Sequence, residues 1–159
     1  MPSDLVPVDT GVPAPGFGGL LLRAEANVAL RNMLSAATGA GHDLRVRSSY
    51  RSYAEQARTF AYWAGALGPE QARRVSAEAG HSEHQLGTTV DLTDAGVGYD
   101  LTEAFGDAPA GRWLATNAHL HGFALSYPGG AEAITGYAYE PWHYRYLGMS
   151  RRLRGARAA

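Results

Sequence analysis

His81-Ser82-Glu83-His84-Gln85-Leu86-Gly87-Thr88-Thr89-Val90-Asp91 is the stretch whose reading decides how this chain folds. Gly80 to Gly87 is polar, turn-forming and carries two histidines. Thr88 to Leu92 is rich in β-branched residues and reads as a strand. A carboxylate therefore rides on a strand just after imidazoles set in a turn. Working outward, Leu44-Arg45-Val46-Arg47-Ser48 alternates apolar and polar residues and predicts a second strand. Phe123 to Tyr127 predicts a third, ended by Pro128-Gly129-Gly130. Tyr137 to Tyr146 is aromatic-rich, and Pro141 argues against a helix interior there, so it reads as extended.

Helices are expected around these strands. Val28, Leu30, Met33 and Leu34 with alanine filler predict one over 24–40, stopped by Gly39 and Gly41. Ser52 followed by Glu55 is a capping box, opening a helix over 53–66. Pro69 starts a shorter one, to about Ala79. Arg112 to His121 predicts a fourth, with Trp113, Leu114 and Leu120 facing inward and Gly122 as the stop, after a Gly- and Asp-rich surface loop over 94–111. The result is an α+β fold: a small antiparallel sheet flanked by helices. Residues 1–19, with Pro2, Pro7, Pro13 and Pro15, read as an extended arm. Residues 20–150 form the domain, and 151–159 a basic tail.

A length of 159 residues suits one domain. Net charge −1 and pI near 6.6 argue against a nucleic-acid partner. No apolar run is long enough for a transmembrane helix. Met1-Pro2-Ser3-Asp4 lacks the basic and apolar regions of a secretory leader. The expected location is extracytoplasmic if a leader has been removed, and cytoplasmic if the chain is complete as given. There is no cysteine, so a metal site must use His, Asp or Glu. All the basic side chains besides histidine are arginine, which removes Schiff-base lysine chemistry.

The second cluster able to carry chemistry is Glu140-Pro141-Trp142-His143. Hydrolytic zinc commonly takes three protein ligands and keeps a fourth position open. Two neutral imidazoles and a carboxylate leave net charge +1 at such a metal, which favours ionisation of water, and a nearby carboxylate takes the proton. The residues alone leave the assignment open: His81 and His84 both qualify as ligands, and Glu83 as ligand, base or network carboxylate. No helical H-E-x-x-H motif is present.

Ser82-x-His84-x-x-Gly87-x-x-x-Asp91 followed by Glu140-x-Trp142-His143 resembles the VanY-type D-alanyl-D-alanine carboxypeptidase family, zinc peptidases of the superfamily that includes lysostaphin-type enzymes and the hedgehog fold. Ser48-Ser49-Tyr50-Arg51-Ser52-Tyr53-x-x-Gln56 resembles another family block, as do Gly122-Phe123, Tyr127-Pro128, Thr135-Gly136-Tyr137 and His143 to Gly148. The resemblance implies one zinc ion on His84, Asp91 and His143, with Glu140 as general base. It implies Arg51 facing the scissile carbonyl or the substrate carboxylate, Ser82 and Gln56 holding the substrate's C-terminal end, and Tyr127 and Trp142 lining the site. Read without it, Arg51 is a helix-start charge, Gln56 a solvated helix position, Ser82 a cap, and the two aromatics core residues. His81, Glu83, His42, His119 and His121 match no ligand position. Two departures stand out: Thr89 where the family often has alanine, and Ser126 where it often has arginine.

The implied activity is hydrolysis of the terminal D-Ala-D-Ala bond of peptidoglycan stem peptides or their precursors. Rival specificities share the same zinc site: L,D-carboxypeptidase, D,D-dipeptidase and L-Ala-D-Glu endopeptidase. A rival of another class is a non-catalytic, zinc-stapled module that binds cell-wall peptide. Glu140 and Arg51 argue against it, because a structural zinc site needs neither and usually has four protein ligands.

Overall fold

A computed structural model of the chain describes residues 1–9 and 12–149. The basic tail expected over 151–159 lies outside the described residues. Strand β1 (Leu5–Pro7) pairs antiparallel with β2 (Leu21–Arg23), a small ribbon of its own within and just after the proline-rich segment. Helix α1 (Ala24–Gly39) follows directly, and β3 (Arg45–Ser48) comes next. Helix α2 (Tyr53–Leu67) opens on the expected capping box: Ser52 Oγ accepts from the Glu55 amide, and the Glu55 carboxylate accepts from the Ser52 amide. Helix α3 (Pro69–Val75) begins on its proline and is shorter than expected, because Ser76 turns to extended backbone.

The decisive stretch forms a 3-10 turn, Glu83–Leu86, then strand β4 (Thr89–Thr93). Helix α4 (Pro109–Asn117) starts three residues before Arg112, since Pro109 supplies the preset φ of a first helical position. It tightens into a 3-10 turn at Ala118–His121. That tightening corrects the expectation for Leu120. Three residues per turn instead of 3.6 rotates it off the inner face, and it is exposed. The loop expected over 94–111 also contains 3-10 turns, at Ala95–Val97 and Glu103–Asp107. Strand β5 (Phe123–Leu125), a one-turn helix α5 (Glu132–Thr135) that the sequence reading did not anticipate, and β6 (His143–Tyr146) complete the fold.

Strands β3, β4, β6 and β5 lie in that order in one antiparallel sheet. The fold is α+β, as expected. Side chains alternate across a sheet. One face carries Val46, Val90, Leu92, Phe123, Tyr144 and Tyr146 into the core, where they meet Leu30, Met33 and Leu34 of α1 and Leu114 of α4. Val28, on the opposite side of α1, is half exposed. The other sheet face carries Asp91 of β4 and His143 of β6, which are direct register partners.

Candidate metal centre and cavity

Every residue of β4 is buried, because the strand has a neighbour on each side. A carboxylate in such a strand is tolerated only when paired or bound to a cation. Asp91 Oδ1 lies 3.2 Å from His143 Nδ1, and its Oδ2 lies 3.2 Å from His84 Nε2. His84 reaches this point from the 3-10 turn that leads into β4. Among the described residues, one group could hold a metal ion: His84, Asp91 and His143, each offering a ligand atom within 4.8 Å of the others.

Hydrogen bonding determines which nitrogens face the centre. His84 Nδ1 donates to the Ser49 carbonyl at 2.6 Å, so its lone pair lies on Nε2. Buried His84 Nε2 and Asp91 Oδ1 have no hydrogen-bond partner. Orphaned buried acceptors are costly, and a cation between them satisfies both. The three residues therefore fit a metal ion on chemistry as well as on distance. His81, the competing histidine, is exposed in the preceding turn and is not part of this group.

The surrounding charge follows the same logic. Burial pushes the Asp91 carboxyl up, but the two imidazoles outweigh it and hold the group well below the usual carboxylate range. Burial pushes His84 down. Burial also opposes charge on His143, yet the carboxylates of Asp91 and Glu83 on either edge of the ring win and hold it up to about 9. Glu140 Oε2 lies 3.4 Å from His143 Nδ1, on the same ring edge as Asp91. Burial raises the Glu140 carboxyl to about 7, against the attraction of His143. Glu83 lies on the other edge of the ring, with Oε2 3.0 Å from His143 Nε2.

The centre opens on a cavity of about 310 Å³. Arg51, Ser82, Tyr127 and Trp142 line it together with His84, Asp91, Glu140 and His143. Arg51 sits between β3 and α2, pinned by its amide to the His84 carbonyl. Its buried Nε has no hydrogen-bond partner, and no carboxylate among the described residues forms an ion pair with it. Ser82 both caps the 3-10 turn, accepting from the His84 amide, and faces the cavity. The Tyr127 ring lies 4.7 Å from that of His143. Trp142 also packs against the core.

Gln56 is placed differently from either expectation. It is fully buried rather than solvated, and it does not line the cavity. Its amide donates to the Ala77 carbonyl at 2.6 Å and to Ser76 Oγ at 3.3 Å, and those two residues form the cavity wall. The departures from the family pattern are also placed. Thr89 is buried within β4. Ser126 Oγ donates to Glu83 Oε2 at 2.6 Å, and an arginine still pairs with Glu83, but it is Arg145.

Several further residues form the cavity wall beyond those expected from sequence. Thr59 and Trp63 of α2 face the cavity, three and seven positions after Gln56, a helical-face signal that was legible. Tyr137 stacks 4.6 Å from Tyr127 and sits inside a quoted family block. Leu101 and Tyr139 come from irregular segments and Glu103 from a short 3-10 turn, with no periodicity to reveal them.

Comparison with known proteins agrees with this geometry. The chain is 42% identical over 127 residues to YodJ of Bacillus subtilis (strain 168), which covers 80% of the chain and 46% of YodJ. It thus spans less than half the length of that relative. The structure of the LdcB LD-carboxypeptidase superposes with a TM-score of 0.85 at 38% identity, covering 99% of this chain and 73% of that one. A mutant of the vancomycin-resistance D,D-pentapeptidase VanY, in complex with Zn(II), superposes with a TM-score of 0.69 at 29% identity, covering 90% of this chain and 84% of that one. The profile of the VanY D-alanyl-D-alanine carboxypeptidase family matches residues 19–149, and the chain belongs to that family.

Proposed function

We propose that this chain is a zinc-dependent carboxypeptidase that hydrolyses the terminal D-Ala-D-Ala bond of peptidoglycan stem peptides. The observation that carries the reading is the convergence of His84 Nε2, Asp91 and His143 Nδ1, with Glu140 on the same ring edge, at the wall of a cavity that also holds Arg51. The Zn(II) complex of the VanY relative supports zinc as the metal.

Zinc, when bound, supplies Lewis acidity, polarising a carbonyl and lowering the pKa of water from 15.7 to about 7. The chain's residues do the rest. Glu140, raised to about 7 by burial, takes the proton of the attacking water and returns it to the departing amine of D-alanine. The Arg51 guanidinium, with buried Nε unpaired, offers hydrogen bonds to the oxyanion or to the terminal carboxylate. Ser82 lines the same wall, while Gln56 acts through it by holding Ser76 and Ala77 in place. Tyr127 and Trp142 give apolar surface against the peptide and keep water from the reacting bond. Such a substrate places the enzyme at the cell wall. Among the described residues no helix is long and apolar enough to cross a membrane.

One observation favours a second specificity. The LdcB LD-carboxypeptidase matches nearly the whole chain with a TM-score of 0.85, so cleavage of the tetrapeptide's L,D bond is the alternative. Incubation with defined stem pentapeptide, tetrapeptide and free D-Ala-D-Ala, with products identified by mass, separates the two. D-Ala release from the pentapeptide supports the first reading, and release from the tetrapeptide alone supports the second. Zinc-dependent release from none of them overturns both.

A further inference from the structure

Glu83 is the one carboxylate of the decisive stretch that the proposed chemistry leaves without a task. We propose that it is a positioning residue that sets the orientation and ligand strength of His143, and so determines how tightly the chain holds its metal. The inference rests on the zinc-centre reading above. Glu83 Oε2 accepts from His143 Nε2 at 3.0 Å and from Ser126 Oγ at 2.6 Å, while Oε1 accepts from Arg145 Nη1 at 2.8 Å.

The consequence for the ring is specific. With the Nε2 proton committed to Glu83, Nδ1, the nitrogen facing Asp91, is the one that gives up its proton and offers a lone pair when a metal binds. His84 is the mirror case: its Nδ1 proton goes to a carbonyl and its lone pair lies on Nε2. The two ligands differ in what stands behind them. Behind His84 is a neutral backbone carbonyl; behind His143 is an anion, which makes the ring a stronger electron donor to a cation. Arg145 and Ser126 occupy two further acceptor positions and oppose rotation of the carboxylate toward the centre. Glu83 also opens the 3-10 turn that carries His84, so one side chain couples the elements bearing both histidines. Ser126, one of the two residues departing from the family pattern, belongs to this support.

The test compares full-length wild type, Glu83→Gln, Glu83→Ala and Ser126→Ala. Zinc dissociation constants come from chelator competition, visible spectra from cobalt-substituted protein, and melting temperatures from metal-free protein. Glu83→Ala weakens zinc binding roughly 10–100-fold and shifts the cobalt spectrum. Glu83→Gln, close to wild type in shape, retains an acceptor for Nε2 without the charge and falls between. Ser126→Ala, which removes one supporting donor and tests the same support without touching Glu83, weakens binding by less than Glu83→Ala. Zinc constants within twofold of wild type in all three variants, with unchanged cobalt spectra, overturn the proposal even if the metal-free melting temperatures fall. A wild type that binds no zinc sinks the zinc-centre reading itself, an outcome visible before any variant is made.

Discussion

At the residue scale, the two carboxylates nearest His143 have opposite environments and should behave oppositely. Glu140 is buried with few donors and is raised to about 7; in Glu83, hydrogen bonds from His143, Ser126 and Arg145 together outweigh burial and bring it to about 2. For metal-free protein the sign for Glu140 follows from linkage. The unfolded chain ionises Glu140 near 4.5, the folded chain only near 7, so its contribution to stability is lost as pH rises through that window. Glu140→Gln should therefore raise the metal-free melting temperature more at pH 8 than at pH 4, measured by calorimetry. The same variant should lower kcat/KM by about 10²–10⁴, the usual worth of a general base, while zinc content stays near that of wild type. Loss of zinc along with activity would instead make Glu140 a structural member of the centre. His143, held up to about 9 without metal, carries a proton at neutral pH. Metal binding must displace it, so zinc affinity should rise with pH up to about 9, with about one proton released per ion. Titration calorimetry in buffers of different ionisation enthalpy reads that proton directly.

At the element scale, Gly87 joins the 3-10 turn to β4 and has φ +70°, in the left-handed region. A Cβ there would meet Leu5 Cδ2 at 2.8 Å and Arg23 Cγ at 3.0 Å, and the Gly87 carbonyl accepts from the Arg23 amide. The β1–β2 ribbon thus docks directly on the metal-binding turn. Gly87→Ala should cost about 1–2 kcal/mol from the backbone alone, more once the ribbon shifts, and should weaken zinc binding through His84. Chemical denaturation and zinc titration measure the two effects separately. Helix α2 makes a different contribution. Gln56→Ala leaves the buried Ala77 carbonyl without its side-chain donor, at about 1–3 kcal/mol, and loosens the wall that Ser76 and Ala77 form. If Gln56 acts only through the wall, KM should rise with little change in kcat. A kcat loss as large as that of an Arg51 variant would argue for direct substrate contact.

At the scale of the whole molecule, the sheet is a two-sided device. Its core face packs aliphatic and aromatic side chains against α1 and α4, and its other face holds the charged centre. The core is built independently of the metal, unlike that of a zinc-stapled mini-domain. Chelation should lower the melting temperature by the linkage of metal binding to folding and leave a cooperative transition. A chelated protein that has lost its folded circular dichroism would show that the metal is a fold staple. Retention of cooperative unfolding, together with zinc-dependent D-Ala release, is the outcome expected here.

Some of this protein was determined by sequence alone. The capping box at Ser52, the β-branched strand carrying a carboxylate and the start of α3 at Pro69 are local matters, governed by neighbouring dihedrals and hydrogen bonds. The motif spacing also named the three ligand residues, through resemblance. Local signals left His81 and Glu83 open, and only tertiary structure separated them from the rest. Asp91 and His143 lie far apart in the chain, and the antiparallel register of β4 on β6 makes them partners. The same pairing sets Glu83 behind His143 rather than in front of it, and the packing of α2 on α3 turns Gln56 away from the cavity into its wall. Register and ring orientation are non-local: they come from burying one face of a sheet, and no spacing along the chain encodes which nitrogen faces the metal.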